Sequence, residues 1–193
     1  MYEAGIELWF PTAFYYARDI ISPKENSRLV GKMLELRETV PDGSGNWNCD
    51  IYTSYESLNL RNVPEFKRLL CALDDHIEQY LARIHALEKL ICKEAWFNIA
   101  GPKQYQEQHT HSGRKLSLVY YCSVPDGAAP TVFKPIYADN NPIDVSAANN
   151  ITQTTVSYKA EVGKLVIFPS YVPHLVPQGA NTENRITISA NYG

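Results

Sequence analysis

The spacing of apolar residues changes at Glu94, and this change limits the possible folds more than any other feature of the sequence. Before Glu94, apolar residues recur at helical spacing in two stretches. After it, short strand-like runs are separated by clusters of Gly, Pro and Asn. Helices followed by about eight strands are typical of an α+β domain built on an antiparallel sandwich or jelly roll. We therefore predict one domain over residues 1–193, with a helical part at about 20–93 packed on one sheet of a β-sandwich core at about 94–193.

Two helices are predicted in the N-terminal half. Residues 22–25, Ser-Pro-Lys-Glu, combine an N-cap serine, a proline at the first helical position and a glutamate at the third. This helix is predicted to end near Arg37, with four residues facing inward: Leu29, Val30, Met33 and Leu34. The second helix begins near Pro64, and its apolar spacing continues as far as Ile91. The aromatic residues within 6–16 predict an edge strand or an extended arm.

The remaining segments alternate between predicted strands and turns. The eight predicted strands are 94–100, 104–110, 115–124, 131–137, 152–159, 163–168, 172–176 and 185–192. Residues 138–150 are rich in Asp and Asn and predict a mobile loop that could cover a site.

Composition excludes several classes of protein. A net charge of −3 over 193 residues gives no electrostatic case for a nucleic acid or an anionic membrane as partner. No apolar run is long enough to span a bilayer, and the first residues lack the basic and apolar stretches of a signal peptide. The four cysteines are scattered without a CxxC pair, which favours free, mostly buried thiols in a reducing compartment. We therefore expect a cytoplasmic protein.

Three histidines and an arginine carry the chemical information in the sequence. His109 and His111 stand two residues apart on a predicted strand, so their rings point to the same side. His174 and then Arg185 follow on later strands. Neutral imidazoles bind iron and zinc well, so this order suggests a metal site followed by an anion clamp. A His-x-His pair alone is more often a pair of polar strand residues, and His76 and His85 of the second helix are interpreted as ordinary helix residues.

An ordered set of motifs then resembles the 2-oxoglutarate- and Fe(II)-dependent oxygenases. The closest resemblance is to their prolyl-hydroxylase-like branch, in a small family with a His-x-His…His motif. The motifs cover nearly the whole chain in the family's order: Phe10-Pro11-Thr12, Trp96-Phe97-Asn98, His109-Thr110-His111, Ser117-Leu118-Val119-Tyr120-Tyr121, Phe168-Pro169-Ser170 and the segment from Arg185 to Asn191. No single motif is diagnostic, but the ordered set is specific.

The resemblance implies a double-stranded β-helix and an oxidoreductase that couples 2-oxoglutarate decarboxylation to hydroxylation of a substrate by O2. It implies that Fe(II) is held by His109, His111 and His174. It also implies that Arg185 binds the distal carboxylate of 2-oxoglutarate, since guanidinium and carboxylate match in a two-pronged geometry. The other implied cosubstrate-binding residues are Tyr121, as a hydrogen-bond donor to that carboxylate, and Thr187, Ser117, Asn98 and Tyr105. No catalytic residue is implied beyond the metal ligands.

The sequence departs from the wider superfamily at His111, where an acid is usual. Glu107 and Asp126 are nearby acids that could replace it, although solvated surface carboxylates are the simpler interpretation. Two other functions stay open: a cupin-like three-histidine dioxygenase that does not use 2-oxoglutarate, and a non-catalytic jelly-roll binding module. Arg114 and Lys115 could meet an acidic substrate. The sequence does not distinguish peptidyl proline, an amino acid or another small molecule as substrate, and it does not indicate the oligomeric state.

Overall fold

A computed structural model describes residues 5, 11–45, 47, 49–136 and 144–193. The predicted loop at 138–150 and the Phe10-Pro11-Thr12 motif fall partly outside these ranges. Within them the helices are α1 (Pro23–Arg37) and α2 (Lys67–Arg83), with two short 3-10 turns at Leu60–Asn62 and Pro64–Phe66. The strands are β1 (Tyr15–Ala17), β2 (Tyr52–Thr53), β3 (Cys92–Ala100), β4 (Gln106–His109), β5 (Leu116–Ser123), β6 (Thr131–Phe133), β7 (Val156–Tyr158), β8 (Leu165–Pro169), β9 (His174–Val176) and β10 (Arg185–Tyr192).

The strands form two antiparallel sheets. A six-stranded sheet has the order β1-β8-β5-β10-β3-β2, and a four-stranded sheet has the order β4-β9-β6-β7. Every strand pair is antiparallel. Each of the eight strands predicted from Glu94 onward is present, most of them shorter than predicted. The predicted α+β architecture, an antiparallel sandwich with N-terminal helices on one sheet, is confirmed.

The six-stranded sheet separates the main apolar core from the space between the sheets. Its outer face packs against the apolar side of α1 and α2, which contributes buried residues including Leu29, Met33, Leu73 and Ile77. On β10, Ile186, Ile188 and Ala190 join this core. Because side chains alternate along a strand, the residues between them face the second sheet. This alternation places the polar residues of β10 in the interior of the sandwich.

The predicted start of α1 is confirmed, but two predictions about the helices are wrong. Ser22 caps α1, its hydroxyl accepting from the backbone N–H of Glu25 at 3.3 Å. Leu34, predicted to face inward, is exposed. Helix α2 ends at Arg83 rather than near Ile91, because His85 adopts a left-handed backbone conformation with φ of 55° that stops the helix.

The first strand covers one edge of the larger sheet. β1 pairs antiparallel with β8, which confirms an edge strand for 15–17, whereas residues 6–10 lie outside the described part of the chain.

The four cysteines are free thiols, and Cys71 is exposed while Cys49 and Cys122 are buried. Among the described residues, no helix has the length and apolar character that crossing a membrane requires.

Candidate metal centre

Strand pairing and one backbone hydrogen bond bring the three histidines together. His109, the last residue of β4, is the pairing partner of His174 in β9. His111 follows two residues beyond the strand, and its backbone N–H donates to the carbonyl of Ser170 at 3.0 Å. One ligand atom from each of the three side chains lies within 4.8 Å of the others, and this is the only such group found among the described residues. The arrangement is compact enough for three imidazoles to share one metal ion.

The three imidazoles are neutral at physiological pH. Burial, reinforced by the neighbouring imidazoles, lowers the pKa of His174 to about 3 and of His111 to about 4, and burial also lowers the pKa of His109. Nδ1 of His109 lies 2.8 Å from the carbonyl oxygen of Glu107, and Nδ1 of His174 lies 3.0 Å from that of Val172. An Nδ1–H donated to a carbonyl leaves the lone pair on Nε2 available for a metal.

His111 is held differently, by a side-chain amide. Asn191 Nδ2 lies 3.4 Å from Nδ1 of His111 and donates to a carboxylate oxygen of Glu94 at 3.0 Å. Ser117 in turn donates to Asn191 Oδ1 at 2.7 Å. With this amide orientation, Nδ1 of His111 accepts the hydrogen bond and Nε2 carries the ring proton. Of the three candidate ligands, His111 is therefore the one that must lose or move this proton before Nε2 can bind a metal. Ser117 therefore orients Asn191, and its predicted contact with the cosubstrate stays a prediction.

A narrow central cavity adjoins the histidines and contains an arginine that has no carboxylate partner in the described part of the chain. Arg185 is only 5% exposed, and its Nε has no hydrogen-bond partner. Asn98 lines the same cavity, and its Oδ1 is also unpartnered among the described residues. A buried charge without an opposite charge is costly. The cavity is therefore complementary to an anion, and its volume of about 30 Å³ is room for roughly two waters or one carboxylate group.

Thr131 is the residue of this cavity that the sequence analysis missed. Its hydroxyl oxygen accepts from the Tyr121 hydroxyl at 2.7 Å and from Arg185 Nη2 at 3.4 Å. A hydroxyl has two acceptor positions and one proton, so the proton of Thr131 is left to point at an anion in the cavity. Tyr121 bonds to Thr131 rather than to the anion site itself, and the centroid of its ring lies 5.1 Å from Cζ of Arg185. The alternation of Thr131 with Phe133, which packs between the sheets, is the signal that could have revealed Thr131.

The other residues predicted for the site lie in different parts of the structure. Thr187 and Asn98, two of the predicted cosubstrate-binding residues, line the central cavity. Tyr105, which is 37% exposed, lines a surface groove beside the residues 175–178 instead. Glu107 lines an outer pocket next to His109, and Asp126 is exposed in a turn. Neither acid belongs to the group of ligand atoms around His111.

The outer pocket opens from the histidines to the surface and has a volume of about 360 Å³. Trp96, His109 and His111 line both this pocket and the central cavity. Arg114 also lines the outer pocket, but its guanidinium is bound to the carboxylate of Glu94 through Nε at 2.9 Å and Nη2 at 3.0 Å. Lys115 is paired with Glu88. The two cations predicted to meet an acidic substrate are therefore each engaged by a carboxylate of the same chain.

A comparison with protein-family models identifies the class of this centre. Residues 94–191, about half of the chain, match the model described as "Putative 2OG-Fe(II) oxygenase". The chain belongs to this family of 2-oxoglutarate/Fe(II) oxygenases. The protein is therefore an oxidoreductase that uses Fe(II) and 2-oxoglutarate, as the resemblance implied. No curated protein sequence matches the chain significantly.

Solved structures of 2-oxoglutarate oxygenases share the fold at low sequence identity. A prolyl-4-hydroxylase from Pseudomonas putida has a TM-score of 0.64 at 14% identity, over 94% of this chain and 92% of that one. The α-ketoglutarate-dependent epimerase SnoN from nogalamycin biosynthesis has a TM-score of 0.68 at 14% identity, over 94% and 76%. HygX from Streptomyces hygroscopicus, solved with nickel and 2-oxoglutarate bound, has a TM-score of 0.63 at 13% identity, over 94% and 83%. These matches confirm the predicted double-stranded β-helix.

The described residues fit the cofactor and cosubstrate of the family. Three neutral imidazoles suit a divalent transition metal. The buried guanidinium of Arg185 in the adjoining cavity, with its Nε unpartnered among the described residues, suits one carboxylate of a dicarboxylic cosubstrate. Neither the cupin-like alternative without 2-oxoglutarate nor the non-catalytic module gains support, because both leave the buried guanidinium unexplained.

Proposed function

We propose that this protein is a hydroxylase in which His109, His111 and His174 hold Fe(II) and Arg185 binds 2-oxoglutarate. The observation that carries the proposal is the buried guanidinium of Arg185, whose Nε has no hydrogen-bond partner among the described residues, beside three clustered imidazoles. A charge in this position lowers the stability of the ligand-free protein. Binding the distal carboxylate of 2-oxoglutarate removes that penalty, so the fold is prepared for this ligand.

Each side chain of the cavity has a separate task. Arg185 pairs with the distal carboxylate, and Thr131 donates its hydroxyl proton to the same group. Tyr121 fixes the orientation of Thr131, while Asn98 and Thr187 line the same cavity as Arg185 and the histidines. Bound Fe(II) would be the site at which O2 is the oxidant, with two electrons from the oxidative decarboxylation of 2-oxoglutarate to succinate and carbon dioxide and two from hydroxylation of a substrate C–H bond. The protein orients the cosubstrate and keeps water out of the narrow cavity.

Hydroxylation is favoured by the likeness to the prolyl-4-hydroxylase from Pseudomonas putida. Peptidyl proline, a free amino acid and other small molecules are all compatible with that reaction. The net charge of −3 gives no support to nucleic acid as substrate. The choice among the remaining classes depends on the outer pocket rather than on the metal centre.

The direct test is turnover of 2-oxoglutarate in the absence of a primary substrate. Protein loaded anaerobically with Fe(II) and then exposed to O2 is expected to convert 2-oxoglutarate slowly to succinate. His174→Ala is expected to lose this activity and to bind Fe(II) at least about a hundredfold more weakly, since even residues that only orient ligands are worth ten- to a hundredfold. His76→Ala is the matched control, because His76 lies on α2 and its ring is hydrogen-bonded to the hydroxyl of Tyr15 in β1, away from the centre. Wild-type protein that binds Fe(II) but never consumes 2-oxoglutarate contradicts the proposal.

His111 requires a test of its own. His111→Ala is expected to weaken Fe(II) binding, and His111→Asp to restore much of the loss, since a carboxylate is the usual ligand at this position in the superfamily. Iron affinity is measured by anaerobic competition with a chelator. An unchanged affinity in His111→Ala means that the three-histidine ligand set is wrong, even where succinate formation shows that the enzyme class is right.

A further inference from the structure

We propose that Asn191 is a positioning residue that controls the third ligand of the metal centre. Its amide holds His111 in the tautomer with the ring proton on Nε2, and Glu94 holds the amide in this orientation. The inference rests on the proposed function, because it takes His111 as a metal ligand. Asn191 is 1% exposed and lies near the end of β10. Its pairing partner on β3 is Glu94.

The amide of Asn191 uses both of its polar atoms. Its Nδ2 donates to Glu94 at 3.0 Å and lies 3.4 Å from Nδ1 of His111, and its Oδ1 accepts from the Ser117 hydroxyl at 2.7 Å. An ionised carboxylate can only accept hydrogen bonds, so the amide atom that faces Glu94 is the nitrogen. The second hydrogen of Nδ2 is then available to Nδ1 of His111, which is therefore the unprotonated nitrogen of the neutral ring.

Arg114 keeps the carboxylate of Glu94 ionised and in place. Nε of Arg114 lies 2.9 and 3.2 Å from the two carboxylate oxygens, and Nη2 donates to one of them at 3.0 Å. Paired hydrogen bonds between a guanidinium and a carboxylate are among the strongest and most directional in proteins. Glu94 therefore stays an acceptor, and the orientation of the Asn191 amide follows from it.

The tautomer of His111 opposes metal binding through Nε2, whereas the tautomers of His109 and His174 favour it. For Nε2 to bind a metal, its proton must leave and Nδ1 must take one up, so that the ring stays neutral. The N–H of Nδ1 would then face the N–H of Asn191. Turning the amide over removes this conflict, because Oδ1 can accept from Nδ1 while Nδ2 donates to the Ser117 hydroxyl oxygen. The cost is the hydrogen bond to Glu94, whose carboxylate then faces Oδ1. Glu94 therefore lowers the metal affinity of the centre.

Nitrogen NMR of protein with isotope-labelled histidine tests the tautomers, because protonated and unprotonated ring nitrogens have separate chemical shifts. The chain has five histidines, which are assigned by single substitutions to glutamine. Without metal, we expect the ring proton on Nδ1 in His109 and His174 and on Nε2 in His111. Zn(II), a diamagnetic ion that imidazoles bind well, is expected to move the proton of His111 to Nδ1.

A charge-neutral double substitution tests the role of Glu94. Glu94→Gln combined with Arg114→Gln removes the carboxylate without changing the net charge, and a glutamine amide at position 94 can donate to the turned Oδ1 of Asn191. Fe(II) affinity, measured by anaerobic competition with a chelator, is expected to rise about tenfold, the lower end of the worth of a hydrogen bond to a charged group. Glu88→Gln with Lys115→Gln is the matched control, since it removes a surface ion pair outside this network, and it should leave the affinity unchanged.

The direction of the effect separates this inference from a purely structural role. A network that only supports the fold would lose Fe(II) affinity when Glu94 and Arg114 are replaced. Unchanged or weaker Fe(II) binding in that double variant overturns the inference, as does a His111 ring that carries its proton on Nδ1 without metal. In either case, Zn(II) or Fe(II) binding that depends on His174 leaves the proposed function standing. If neither ion binds to wild-type protein more tightly than to His174→Ala, the proposed function itself fails.

Discussion

The two faces of the six-stranded sheet are built from the same strands and have opposite compositions. On β10, Ile186 and Ile188 face α1 and α2 within a continuous apolar core. Arg185, Thr187 and Ser189 alternate with them and line the cavity between the sheets. On β3 the same alternation places Phe97 among the helices and its neighbours Trp96 and Asn98 in the site.

Of two adjacent residues on one of these strands, one therefore contributes to the stability of the fold and the other to the site. Among the described residues, the helix-covered face buries side chains without unpartnered polar atoms, while the two unpartnered buried atoms, Asn98 Oδ1 and Arg185 Nε, are both on the inner face. A rigid apolar face holds the polar face in position. Substitutions at adjacent residues of one strand should therefore affect either the free energy of unfolding or ligand binding.

The largest effect is expected on the helix-covered face. Ile188→Ala removes a fully buried side chain and is expected to lower the free energy of unfolding by about 2–5 kcal/mol. Its affinity for 2-oxoglutarate should stay near the wild-type value. The neighbouring Thr187→Val keeps the volume and is the control on the inner face. Chemical denaturation and calorimetry measure the two quantities, and an Ile188→Ala protein that is stable but binds poorly breaks the proposed separation.

A smaller effect is expected for the hydroxyl in the cavity. Thr131→Val removes the proposed donor to the distal carboxylate and should weaken 2-oxoglutarate by about 1.5–3 kcal/mol, the worth of a hydrogen bond to a charged group. Tyr121→Phe removes only the group that orients Thr131, so its loss should be about 0.5–1.5 kcal/mol. The reverse order of the two losses would restore Tyr121 as the direct donor.

Arg185 is expected to reduce the stability of the ligand-free protein. Arg185→Met replaces a buried charge by an apolar side chain of similar length, and the free energy of unfolding should rise by about 1–3 kcal/mol. Arg37→Met, at the exposed end of α1, should change it little. Denaturation is measured without metal or 2-oxoglutarate. A clear loss of stability in Arg185→Met means that the guanidinium is a structural residue of the inner face.

The smallest effect is expected just beyond α2. Leu87 continues the helical spacing of the apolar residues but is fully exposed. Leu87→Ser should therefore change the free energy of unfolding by less than about 0.5 kcal/mol, in contrast to Leu73→Ser within the buried face of α2. A large loss in Leu87→Ser means that this residue is covered in solution.

The sequence predicted the elements whose periodicity reflects burial. The strand alternation, the Ser22 cap and the approach of His109 to His174 all follow from local spacing or from motif order. The end of α2 could not be predicted in this way. A residue with a left-handed backbone that ends a helix is usually a glycine, but in this chain it is His85. The strand alternation was predicted correctly and the end of α2 was not, and both results have the same origin. The spacing of apolar residues shows which side of an element is buried, but it does not show where the backbone leaves the helix.

The hydrogen bonds between residues of distant strands were the part of the site that the sequence did not predict. Ser117 and Tyr121 share the inward parity expected of cosubstrate-binding residues, yet their hydroxyls bond to Asn191 and Thr131. Parity predicts the face but not the partner, which depends on the packing of a second sheet. Glu94 was missed for the same reason, since its link to His111 passes through Asn191 at the far end of β10.

The most direct test of the account is the binding of 2-oxoglutarate to wild-type and Arg185→Gln protein, measured by anaerobic calorimetry with Fe(II) present. We expect one 2-oxoglutarate per wild-type chain and a dissociation constant at least about thirtyfold higher for Arg185→Gln, the lower end of the cost of breaking a buried charge pair. Iron affinity without 2-oxoglutarate should be the same in both proteins. Equal 2-oxoglutarate affinity in the two proteins would contradict the assignment of the inner face as the cosubstrate site.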